Sequence, residues 1–158
     1  MWKLVDRTKI EARGKHILPS TWVVFKKKRF PDGMVKKLKA RWCVRGDRQI
    51  HGVDYFETFA PVVAWSTIRL LLILTVSMGL STAQVDYTNA FIQAGLDEEV
   101  YVECPRMFET TKKVMRLTRN VYGLRQAPLN WFKQLKMSLE QRGSKQSSME
   151  TTEDVTVP

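Results

Sequence analysis

The sequence predicts a mixed α+β domain, on three observations. Two β-prone runs rich in Lys and Arg, residues 21–30 and 34–45, flank the tripeptide Pro31-Asp32-Gly33. Two longer segments, 66–78 and 128–142, carry helix start and stop residues. Short runs with β-branched residues lie between them. At 158 residues, 44% hydrophobic and 27% charged, the chain is long enough for one domain with its own core.

The first element is a hairpin, because Pro31 fixes φ and Gly33 accepts φ > 0 at the turn. Trp22, Val24, Lys26 and Lys28 alternate with Val23, Phe25, Lys27 and Arg29, so both faces become basic toward the turn and its tip belongs in water or on phosphate. Ser66 as N-cap and Gly79 as stop predict a helix to about Met78. Leu70, Leu71, Leu72, Ile73 and Leu74 cover every direction around that helix, which predicts burial on most sides. Residues 82–86 predict a short strand delivering Asp86 to its end, and residues 100–103 and 114–117 predict two more. Pro128 suits the first turn of a helix through about Arg142, with Trp131, Leu135 and Leu139 as its buried stripe and Gly143 as its stop. From residue 144 the chain has no aromatic residue and no apolar periodicity, which predicts a disordered tail, at its most divergent over 148–158.

Charge is unevenly placed. Residues 1–50 hold 15 Lys/Arg against 4 Asp/Glu, whereas residues 51–158 hold 11 against 12, so the whole excess of the net +10 sits in the first third. A polyanion such as nucleic acid or a nucleoside triphosphate is the natural partner, with a solvated basic face as the other reading. Cys43 and Cys104 are too few and too far apart for a disulfide framework or a metal knuckle, and His16 and His51 have no partner at zinc-ligand spacing. The apolar run that follows Arg69 is shorter than a bilayer requires, and the first residues lack the apolar stretch of a secretory signal. The expected location is intracellular, cytoplasmic or nuclear, with no membrane partner.

Asp86, in Gln84-Val85-Asp86-Tyr87-Thr88-Asn89-Ala90-Phe91, has two readings. It ends a strand and bonds the following turn, or it ligates Mg²⁺ while Phe91 packs under a nucleotide sugar. Phe91 alone reads equally as core. Tyr122-Gly123-Leu124-Arg125-Gln126-Ala127-Pro128 is a turn with a cation entering a helix, suited to phosphate or to a template strand, or else a solvated loop. Lys39 and Arg41, two apart on one strand, share a face and suit a triphosphate, although a basic edge strand also guards against aggregation. Asp97-Glu98-Glu99 reads as a solvated loop.

In order, Trp22-Val23-Val24-Phe25-Lys26, Lys39-Ala40-Arg41, Arg45-Gly46, Gly52-Val53-Asp54-Tyr55-Phe56-Glu57-Thr58-Phe59-Ala60-Pro61-Val62-Val63, Ile68-Arg69-Leu70-Leu71-Leu72, residues 84–91, Glu99-Val100-Tyr101-Val102-Glu103 and residues 122–128 with Trp131 resemble the reverse transcriptases of copia-class LTR retrotransposons. The resemblance runs over about residues 2–147. It implies a right-hand polymerase, an RNA-directed DNA polymerase performing nucleotidyl transfer with two Mg²⁺ (or Mn²⁺) ions on an RNA/DNA template-primer and dNTPs. Within it, residues 1–147 are a partial reverse transcriptase domain, with a basic fingers hairpin about 21–46 and a partial palm about 54–143. Asp86 is then similar to the first catalytic aspartate and metal ligand, and Phe91 to the sugar-discriminating aromatic. Lys39 and Arg41 resemble the cations that meet the triphosphate, and Gly123, Arg125, Gln126 and Pro128 the loop and helix start lining nucleotide and template.

Two departures stand out. Trp42-Cys43 occupies a place where the family usually has smaller aliphatic residues, and the paired aspartates of the family's YVDD hairpin do not occur in these residues. The expectation is a truncated reverse transcriptase inactive alone, complemented by a longer relative if at all. A non-catalytic module binding nucleic acid without sequence preference is the alternative. A third reading is a chain left with an open strand edge at Asp86 and an uncovered 66–78 helix.

Overall fold

The computed structural model describes residues 1–108 and 112–146, without the side chains of residues 24–27 and 39. The predicted tail over 148–158 lies outside the described residues. The architecture is mixed α+β: a four-stranded sheet, a separate two-stranded hairpin and helices.

The sheet is built from β1 (Trp2–Asp6), β2 (Ile17–Leu18), β5 (Tyr101–Val102) and β6 (Lys113–Leu117), in the order β1-β6-β5-β2. β1 and β5 pair antiparallel to β6, and β2 pairs parallel to β5. Successive residues point to opposite faces, so Val102, Met115 and Leu117 join Leu18, Val44, Val100, Val121, Leu124 and Ala127 in the main core. Tyr101 and Val114 meet Ile10 of α1 (Arg7–Ala12) on the other face. Each Val or Leu so buried contributes about 1.5–3 kcal/mol. Among the described residues of the hairpin's second strand, Val44 is buried in that main core and Trp42 packs against it.

The hairpin forms as predicted, from β3 (Ser20–Arg29) and β4 (Val35–Val44), with Gly33 at φ +84°. Its base is tied in: Val44 N–H donates to Tyr122 O (2.9 Å) and Arg45 N–H to Pro19 O (2.9 Å). A 3₁₀ turn (Gly46–Arg48) follows.

Four expectations are corrected. Helix α2 (Trp65–Ser77) forms, starting one residue before the predicted cap, but none of its residues is buried, and Leu70 to Leu74 are 42–62% exposed. No described element covers it, so an apolar circumference that reads as core faces solvent. Residues 82–86 form no strand, because no described strand lies beside them to complete a ladder. Helix α4 (Ala127–Glu140) buries its first turn, at Ala127, Leu129 and Asn130, whereas Trp131 and Leu135 are half-buried and Leu139 is 40% exposed.

The fourth concerns the acidic loop, which is a hub. Glu99 Oε1 lies 2.7 Å from Arg116 Nη2, and its Oε2 accepts from Tyr101 OH (3.2 Å) and Arg13 Nη2 (3.4 Å) with Lys15 Nζ at 3.9 Å. Asp97 accepts from Asn130 Nδ2 at 3.0 Å. Desolvation raises the Glu99 pKa, but the Tyr101 hydrogen bond and the charges of Arg116, Arg13 and Lys15 outweigh it and hold the carboxyl below the usual range. A carboxyl depressed in the folded state adds stability above its unfolded pKa, about 4.3, and loses it as pH falls through the lower folded value. Glu99→Gln is therefore expected to flatten the loss of stability below about pH 4.3. Denaturant midpoints measured against pH for both proteins check this, and parallel curves sink it.

Candidate functional site

Asp86 sits at the end of the unpaired stretch, exposed, where the chain turns through Thr88 and Asn89 into the short helix α3 (Ala90–Gln93). Asn89 takes φ +53°, a left-handed conformation that Asn tolerates better than most residues. What holds this segment is aromatic: Tyr87 meets Trp131 of α4 edge-on at 5.1 Å, and Phe91 meets Tyr122 edge-on at 5.5 Å while packing on the main core.

Across from Asp86 stands the lower half of the hairpin. Together they enclose a cleft of about 750 Å³, lined by Met1, Trp22, Lys37, Ala40, Arg41, Trp42, Asp86, Tyr87, Thr88, Asn89, Ile92, Val121 and Tyr122. The Arg41 guanidinium lies 5.1 Å from the centre of the Tyr122 ring, a cation–π contact that holds the charge on this wall. The Trp42 indole N–H is buried with no acceptor among the described residues. Beside it, burial raises the Cys43 thiol pKa and Arg41 lowers it less, so the thiol is not an activated nucleophile.

Of the residues singled out from sequence, the cleft gathers Asp86 and Arg41. Phe91 lies behind Tyr122, and Gly123 is the residue after it. Lys39 has its backbone opposite Lys26 in the hairpin, and its side chain lies outside the described residues. Arg125 turns the other way: its backbone N–H donates to Gln49 Oε1 (2.8 Å), its Nε–H to Gly46 O (2.8 Å), and its guanidinium lies 5.6 Å from the Tyr55 ring centre. Gln126 is fully buried, accepting from Gln49 Nε2 (2.9 Å) and donating to Asp54 O (3.2 Å), and it does not line the cleft.

Gln49, Asp54 and His16 thus belong to a polar network that sequence reading passed over. Asp54 is buried, and its Oδ2 accepts from Ile50 N–H (2.8 Å) and lies 2.7 Å from His16 Nδ1. His16 does have a partner, a carboxylate and not a metal set. The Asp54-Tyr55 run within the motif was the available signal, but nothing in its spacing reveals a partner 38 residues away.

The donor set limits what the site holds. Among the described residues no group of three or more His, Cys, Asp and Glu side chains could hold a metal ion. Among the described residues Asp86 is the one carboxylate on the cleft wall, too few for two Mg²⁺ ions, which need carboxylates from more than one position. No helix among the described residues is long and apolar enough to cross a membrane.

Residues 1–153 match the family described as reverse transcriptase (RNA-dependent DNA polymerase). The chain is 40% identical over 134 residues to the retrovirus-related Pol polyprotein from transposon TNT 1-94 of Nicotiana tabacum, covering 83% of the chain and 10% of that protein. It is 38% identical over 126 residues to the Pol polyprotein from transposon RE2 of Arabidopsis thaliana, covering 78% of the chain and 9% of the relative. To the transposon Ty1-H Gag-Pol polyprotein of Saccharomyces cerevisiae it is 30% identical over 139 residues, 85% of the chain and 7% of the relative. The chain therefore spans about a tenth or less of the length of these relatives. No solved structure matches.

Proposed function

The chain belongs to the reverse transcriptase family, of the copia type carried by retrotransposon Pol polyproteins, and on that premise we propose that its cleft is the nucleotide- and template-facing part of an RNA-directed DNA polymerase. One observation carries the reading: Arg41 and Asp86, remote in sequence, face one cleft of about 750 Å³. In it, the β3–β4 hairpin serves as fingers, and the Asp86 segment, the sheet and α4 serve as part of the palm, all within residues 1–147.

The roles follow from chemistry. Arg41, held by Tyr122, supplies a fixed planar cation to the triphosphate, and Lys39 and Lys37 add flexible ones. Asp86 is the first metal ligand of the complete enzyme, where Mg²⁺ or Mn²⁺ would stabilise charge developing on the transferred phosphoryl group. Phe91 supports Tyr122 and is the sugar-side aromatic. Gly123, Arg125 and Gln126 act through position: the side chains of Arg125 and Gln126 hold the loop against the base of the hairpin, which sets the Tyr122 wall. The partners are an RNA/DNA template-primer and dNTPs. A stand-alone binding module is not favoured, because the family match spans residues 1–153.

Binding of oligonucleotides across a salt series tests the reading. Each phosphate neutralised gives a slope of about −0.7 in log K against log[salt] on a single strand, so Arg41→Ala is expected to reduce the slope by about that much. An affinity that hardly changes with salt removes phosphate contact, and the proposal with it.

A further inference from the structure

The cleft has an aromatic wall that its charges do not explain. Trp22 and Trp42 are directly opposite each other in the hairpin ladder, so both side chains stand on one side of it, and both line the cleft. Trp42 is half-buried and packs from behind on the main core, so its ring is already held in place before any ligand arrives. Lys37 and Arg41 lie on the same strand and line the same cleft, whereas Asp86 lies on the opposing segment. An anionic backbone is drawn to the first two and repelled by the third. Lys37 and Arg41 alternate with Trp42 along β4 but line the same cleft with it, so a strand whose phosphates they meet brings its bases to the lining that holds the indole.

Resting on the reading of the cleft given above, we propose that Trp42, beside Trp22, is a stacking surface for an unpaired base of a single-stranded nucleic acid whose phosphates Lys37 and Arg41 meet. Stacking on an aromatic ring is tolerant of base identity and adds to affinity independently of phosphate neutralisation. That independence makes the two contributions separable by experiment.

The test is a binding titration of the chain with a short labelled oligodeoxythymidylate and with an abasic oligomer of equal length and charge. The parent is expected to prefer the base-bearing strand by about tenfold, the effect of one stacked base. Trp42→Leu is expected to lose that preference while binding the abasic strand as the parent does. Trp42→Phe, which keeps a ring, is expected to retain most of the preference while losing part of the quenching of tryptophan fluorescence by the base-bearing strand. A preference that survives in Trp42→Leu, or that vanishes in Trp42→Phe, overturns the proposal. If the parent binds both strands equally, stacking fails and the cleft's anion-binding role stands. If it binds neither, both readings fall.

Discussion

Gly123→Ala is expected to cost the chain about 4 kcal/mol or more of stability, placing it among the rare severe substitutions. Gly123 has φ +95°, and a Cβ there would lie 2.0 Å from Val44 O and 3.1 Å from Val44 N. The neighbouring contact is as tight: a Cβ on Gly46 would lie 1.9 Å from Gly123 O. These are backbone atoms on both sides, and no flexible side chain can yield. The close approach is what lets Val44 N–H reach Tyr122 O and Arg125 Nε–H reach Gly46 O, the bonds that seat the hairpin on the sheet and α4. Pushing the two segments apart would also uncover Val44, Val121 and Leu124, all buried in the main core. Gly14→Ala is the matched comparison, since Gly14 has φ +65° with nothing within 4 Å of its would-be Cβ. That substitution meets only the left-handed penalty, about 1–2 kcal/mol. Urea midpoints of the two variants decide the matter: equal losses would mean that the backbone contact does not matter. A total stability of about 5–15 kcal/mol, usual for a domain, leaves little after the larger loss.

Legibility from sequence followed the range of the interactions involved. The hairpin was readable because its determinants, the Pro31-Asp32-Gly33 turn and the β-prone flanks, are local. The start of α4 was readable from Pro128 for the same reason, although which of its residues are buried was not. Burial depends on what lies opposite: Leu70 to Leu74 look like core in isolation and are exposed because nothing described covers them. Likewise residues 82–86 have strand composition and no partner strand, so composition alone could not make them a ladder. Strands β1 and β2 are not legible in the sequence because short strands carry little periodicity and exist through β6, 107–115 residues away, and β5, 84 residues away. The cleft was half readable. Asp86 and Arg41 are legible in their local motifs, whereas the diversion of Arg125 and Gln126 toward Gln49 and Asp54 depends on side chains more than seventy residues apart.

Primer extension by the chain itself is expected to fall several orders of magnitude below that of a complete reverse transcriptase, in Mg²⁺ or Mn²⁺, on a primed RNA template with dNTPs. Metal-assisted stabilisation of the transferring phosphoryl group is worth several kcal/mol, and each 1.4 kcal/mol is tenfold in rate, so its loss alone removes three or so powers of ten. Asp86 is exposed on an unpaired segment, and no second carboxylate lines its cleft among the described residues. A single exposed oxygen ligand set neither holds two hard cations nor fixes their separation. Positioning suffers as well, because Tyr87 on Trp131 and Phe91 on Tyr122 anchor the chain only after Asp86, and no strand among the described residues clamps the stretch before it. Asp86→Ala should therefore leave extension by this chain unchanged, while weakening activity severely in a longer Pol polypeptide that supplies the further carboxylates. Product from the chain alone that Asp86→Ala abolishes would mean that a second acidic ligand reaches the cleft from residues outside those described. The two backgrounds separate a fault in the site from a fault in its assignment: if Asp86→Ala is silent in the longer polypeptide too, Asp86 is not the metal ligand.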